Sequence, residues 1–139
     1  MNRRRFLAAV GTGATLSAAG CLGAAGSESD DYDVGMTAVA YDPVEVTVAV
    51  GDTVRWKNTS SRAHTVSAYE DRIPEAATYF ASGGYDSEAG AREAWTNDLG
   101  GALTSGDTYE RTFEVAGSYE YFCVPHEQGG MVGTIVVEE

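Results

Sequence analysis

Lysine is nearly missing from this chain: Lys57 is the only one, and nine basic residues in all stand against 21 acidic ones. Three of the nine are Arg3, Arg4 and Arg5, and every carboxylate lies beyond Cys21, so the chain past that cysteine is strongly acidic. A nucleic-acid binder needs a basic face to neutralise phosphates, and that class is excluded. Such self-repulsion is tolerated best where salt is high enough to screen it, which points to a salt-loving source. Long hydrophobic runs are also missing. The stretch from Leu7 to Gly20 is too short, and its Ala and Gly side chains too small, for a comfortable membrane-spanning helix. There is no internal repeat. Histidine and cysteine are scarce, with two of each: His64 and His126, Cys21 and Cys123. At 139 residues one modest domain can build an adequate core without disulfides.

What is present divides into three segments. Asn2-Arg3-Arg4-Arg5-Phe6-Leu7 and the apolar run behind it read as a twin-arginine export signal over residues 1–20. Ser17-Ala18-Ala19-Gly20-Cys21 resembles a lipobox, which predicts a lipid on Cys21 and a position at the outer face of the cell membrane. Residues 21–34 hold that cysteine and a polar tether, Gly23 to Asp33 being rich in Gly, Ser and Asp with little to bury. Residues 35–139 form the domain.

Within the domain the patterning is β. Val44, Val46, Val48 and Val50 alternate with polar or small residues, Gly51-Asp52 signals a turn, and Val54 and Trp56 continue the inward set. His64 to Tyr69 is a further strand-like run with its histidine at the start. Ser87 to Trp95 predicts a short helix, with Ser87 as N-cap. Tyr109, Arg111, Phe113 and Val115 share one face of a strand whose arginine places it near a sheet edge. Seven or eight short strands separated by turns predict an all-β antiparallel sandwich.

The most specific stretch is Tyr119 to Val137. A strand runs into Cys123, a short loop comes next, and a strand leaves from Met131, giving the spacing C-x2-H-x4-M over Cys123, His126 and Met131. With His64 added, the chain offers two imidazoles, one thiolate and a weak thioether. That set suits copper cycling between Cu(II) and Cu(I), since zinc prefers four strong donors. Gly129 and Gly130 supply the backbone freedom that a tight ligand loop needs.

This loop resembles that of the small blue copper proteins of the plastocyanin type. Asn58 to Val66 is similar to the segment carrying that family's first histidine, and Ile73-Pro74-Glu75 and Gly117-Ser118-Tyr119 also fit. The haloarchaeal branch of the group, the halocyanins, is the most similar, over roughly Gly35 to Glu138. The resemblance implies a cupredoxin-type Greek-key β-sandwich, His64, Cys123, His126 and Met131 as ligands of one type 1 copper, and a monomer. It also implies a one-electron carrier, not an enzyme, between membrane-bound redox proteins as donor and acceptor. Members often have Asn after the first histidine and Ser after the cysteine; here Thr65 and Val124 stand there, so that side-chain clasp between the ligand segments is not implied. Pro125 brings no N–H toward the thiolate, which lowers the potential relative to a site that has one. Phe122 points to the face opposite Cys123, either as an electron port, where plastocyanin usually has a tyrosine, or as core.

The competing chemistries are short of residues. Nitrite reduction needs a second, histidine-rich copper. A Cys–His hydrolase leaves Met131 and His64 unexplained. A binuclear copper domain needs another cysteine between Val124 and Gly130. A Cu(I) storage or delivery module needs several soft donors, and beyond Cys21 the methionines are Met36 and Met131.

Overall fold

The structure, a computed structural model, describes residues 31–139. The expected export signal, the lipobox cysteine Cys21 and most of the tether lie outside the described residues. Among the described residues eight strands form two four-stranded sheets. In the first the order is β2 (Tyr41–Asp42), β1 (Val34–Met36), β4 (Thr53–Asn58), β6 (Thr108–Thr112). In the second it is β3 (Glu45–Ala49), β8 (Val132–Glu138), β7 (Gly117–Phe122), β5 (Ser67–Ala68). Most neighbours are antiparallel; β1 with β4 and β3 with β8 are parallel, because the chain crosses between sheets there. This is the expected cupredoxin-type sandwich.

Alternation builds the core between the sheets. Val54 and Trp56 of β4, Tyr119 and Tyr121 of β7, and Ile135 and Val137 of β8 all turn inward and are buried. β6 ends its sheet, as Arg111 suggested; its guanidinium folds over the Phe80 ring, 5.1 Å from the centroid, and donates to the Thr78 carbonyl at 3.0 Å.

Three local expectations are corrected. Val44 and Val50 fall outside β3 and are exposed, since Val44 precedes the paired segment and the turn at Gly51-Asp52 takes Val50. The strand-like run from His64 shrinks to Ser67–Ala68, because His64 pairs instead with Leu103 from the irregular connection. The end of the tether is docked: the Asp33 carboxylate accepts the Arg55 N–H at 2.9 Å, and Asp33 N–H donates to the Arg55 carbonyl at 2.8 Å.

The β5–β6 connection holds a short 3-10 turn at Glu70–Arg72 and the α-helix α1 (Glu88–Asp98). Ser87 caps it, its hydroxyl accepting from Gly90 N–H at 3.0 Å. It runs three residues past the expected end, to Asp98, and Leu99 then adopts a left-handed φ of 56° and closes the last turn. Among the described residues no helix is long and apolar enough to cross a membrane.

Candidate metal centre

Cys123 comes directly after β7. The β7–β8 register ends at Phe122 opposite Val132, and the Cys123 N–H donates to the Met131 carbonyl at 3.1 Å, extending the ladder by one pair. Cys123 and Met131 therefore face each other across the strands on the same side as Tyr121, toward the core, and both are fully buried. Between them Val124–Gly129 makes a 3-10 turn. It closes when Gly130, at φ 95°, donates to the Glu127 carbonyl at 2.9 Å and Met131 donates to the His126 carbonyl at 3.2 Å. The expected glycine freedom is used at Gly130.

His64 comes from the other side. Its backbone pairs with Leu103 in both directions, at 3.1 and 2.7 Å, which fixes the ring over the end of β7. The Nδ1 atoms of His64 and His126 lie 3.1 Å apart, and each is 3.5 Å from the Cys123 sulfur. His64, Cys123 and His126 are the three residues among those described whose donor atoms cluster in this way. Donors that share one ion at about 2.0–2.3 Å stand apart by distances of this order, so the three fit a common centre.

The electrostatics agree. Burial, and then the other imidazole, lowers the His64 pKa; burial and then Arg62 lower that of His126. Both rings are thereby held neutral with a lone pair to give. Burial pushes the Cys123 thiol up, offset in part by the N–H groups of Thr65 and His126. A sulfur that resists ionising alone in this pocket is one whose thiolate a bound cation would favour.

Several supporting residues escaped the sequence reading. The second nitrogen of His64, Nε2, lies 3.2 Å from the Ser60 hydroxyl, which donates to the side-chain Oδ1 of Asn58 at 2.8 Å. Thr65 N–H donates to the Cys123 sulfur at 3.4 Å. The clasp between the ligand segments exists in another form: the Val124 N–H donates to the Thr65 hydroxyl at 2.9 Å. The donor is a backbone group, so the identity of residue 124 gave no signal. Phe122 is neither a bare port nor part of the core between the sheets. It lies on the outer face of β7, fully buried beneath the Tyr69 ring at 4.5 Å and the Arg92 guanidinium at 4.2 Å.

Comparison with known proteins points the same way. Residues 29–138 match the family described as copper binding proteins, plastocyanin/azurin family. The chain is 35% identical over 101 residues to a plastocyanin of Scenedesmus fuscus, covering 73% of this chain and 89% of that one. It is 32% identical over 101 residues to the chloroplastic plastocyanin of Tetradesmus obliquus, covering 73% of this chain and 60% of that protein's length. Among solved structures, amicyanin from Paracoccus versutus superposes with a TM-score of 0.54 at 29% identity, covering 79% of this chain and 88% of that one.

Proposed function

The chain belongs to the plastocyanin/azurin family of copper-binding proteins, and from that premise we propose that it is a carrier of single electrons, with no catalytic turnover of its own. The observation that carries this reading is the convergence of the donor atoms of buried His64 and Cys123 with those of half-buried His126 in one cluster. In this reading those three, with Met131 as a weaker fourth donor, would hold one type 1 copper. Copper bound there supplies a Cu(II)/Cu(I) couple. The protein's own part is to hold the donors still and keep water away. Thr65 N–H faces the sulfur, the Ser60 hydroxyl faces the outer nitrogen of His64, and the Thr65–Val124 hydrogen bond ties the two ligand segments together. A site fixed in this way needs little rearrangement when its charge changes.

The finer reading rests on the acidic composition and the N-terminal sequence. The protein is of the halocyanin type and is exported through the twin-arginine route. A lipid on Cys21 retains it at the outer membrane surface, where it shuttles as a monomer between membrane redox proteins. Such tethering turns encounters with those partners into quasi-intramolecular events.

The test is the visible spectrum of the copper-loaded protein. Intense blue absorption from sulfur-to-Cu(II) charge transfer is expected, and Cys123→Ser abolishes it. A Cys123→Ser protein that stays intensely blue overturns the assignment.

A further inference from the structure

We propose that Arg92, on the inserted helix α1, is the positioning residue of the ligand loop: it clamps the residue beside His126 and covers the residue beside Cys123, touching neither ligand. The proposal rests on the reading of His126 and Cys123 as ligands. Glu127 is the next residue after His126. Arg92 grips its carboxylate with two nitrogens, Nη1 to Oε1 at 2.7 Å and Nη2 to Oε2 at 3.2 Å. The same guanidinium donates to Glu88 Oε2 from Nε at 3.0 Å and from Nη2 at 2.8 Å. It also stands over the Phe122 ring. The Tyr69 hydroxyl donates to Glu127 Oε2 at 2.6 Å. Glu88 in turn is locked to the chain next to Tyr69, with each of Glu70 and Glu88 accepting the other's backbone N–H at 2.9 and 3.0 Å.

The loop needs such a clamp. Gln128, Gly129 and Gly130 are exposed, and no residue of the 3-10 turn is buried, so hydrophobic contact does little to hold it. One exposed ion pair would contribute little. Here a planar fork satisfies two carboxylates and lies on an aromatic face, an arrangement open to arginine and closed to lysine. The result is a loop set before any ion arrives.

The experiment uses the full chain with Arg92→Ala, Arg92→Lys and, as control, Arg55→Ala. The control removes the same charge and an arginine–glutamate pair, with Glu110, on the other sheet. Amide exchange is followed at Gly130 and Met131 without metal, and copper affinity is measured by competition with a chelator. Arg92→Ala should speed exchange at both amides and weaken copper binding by about tenfold, the lower end of what lost supporting contacts cost. Arg92→Lys should fall between it and the natural chain, and Arg55→Ala should leave both readouts unchanged. Unchanged exchange and affinity in Arg92→Ala, or equal effects from Arg55→Ala, would overturn the proposal. A natural chain that takes up no copper would overturn the metal reading instead, and the metal-free exchange would still decide whether the clamp exists.

Discussion

Replacing Asn58 tests how the first histidine is delivered. Asn58 ends β4 and is 1% exposed. Its Nδ2 donates to the Arg62 carbonyl at 2.6 Å and to the Leu103 carbonyl at 2.8 Å. Its Oδ1 accepts from the Ser60 N–H and the Ser60 hydroxyl, both at 2.8 Å. One amide thus organises the whole loop from Thr59 to Ala63, as well as Leu103, the partner of His64. In Asn58→Ala the Leu103 carbonyl keeps the His64 N–H, while the Arg62 carbonyl keeps only a long contact to Ser60 at 3.3 Å. The Ser60 N–H loses its acceptor. Four hydrogen bonds are lost and the Ser60 N–H is stranded, a loss of about 2–4 kcal/mol. In a domain of this size that lowers the melting temperature by about 10–20 °C. Asn58→Asp keeps the shape but turns an oxygen toward two carbonyl oxygens and brings a charge into a dry site, for about 3–5 kcal/mol. The assay is denaturant and thermal unfolding of the metal-free protein, with the denaturant slope checked for constancy. Asn58→Ala within about 0.5 kcal/mol of the natural chain, the range of an ordinary surface change, would refute the reasoning. So would Asn58→Asp proving the more stable of the two.

Three further outcomes are expected. Met131→Leu should keep copper and colour, because the swap conserves volume, and should raise the potential through loss of a weak donor that favours Cu(II); voltammetry giving an unchanged or lower value would remove Met131 from the ligand set. Burial pushes Tyr109 and Tyr69 up to about 12, with Glu127 adding to the shift at Tyr69. Tyrosine in the unfolded chain ionises near pH 10, so stability is complete below that and falls as pH rises toward 12, by up to about 1.4 kcal/mol per unit for Tyr109; unfolding midpoints constant from pH 9 to 12 would contradict this. Removing salt should lower the midpoint, since 21 carboxylates against nine basic residues repel over a longer range once unscreened, and midpoints indifferent to salt would rule that out.

Much of the site was legible because its chemistry is local. Cys123 and His126 sit within four residues, and with two histidines in the chain His64 was the available partner for the cluster the three form. The edge position of β6 could be read from one misplaced arginine. What stayed hidden depends on contacts between distant segments or on backbone donors. That His64 pairs with Leu103, and so shortens β5, depends on a connection with no strand pattern of its own. The Thr65–Val124 clasp uses a peptide N–H that any residue but proline would supply. Phe122 was correctly placed opposite Cys123 by alternation, but alternation says nothing about what covers the outer face.

That cover is the hardest part to read, and the reason is physical. Helix α1 buries one residue, Ala91, so its apolar periodicity is weak and its Ser87 cap was the usable signal. It is held to the loop by polar grips, the Arg92 fork and the Glu70–Glu88 exchange, more than by a greasy stripe. In so acidic a chain such a helix must be anchored by one of the few cations, and the anchor has to sit where two carboxylates would otherwise repel. Salt then acts on this element in two directions. It relieves repulsion over the whole surface but also weakens ion pairs, and a two-pronged, half-buried pair over a ring is screened less than an open one. Arg92 can therefore keep the ligand loop in place under conditions that erase ordinary surface pairs, while Arg72–Glu120, with both side chains about half exposed, would contribute little.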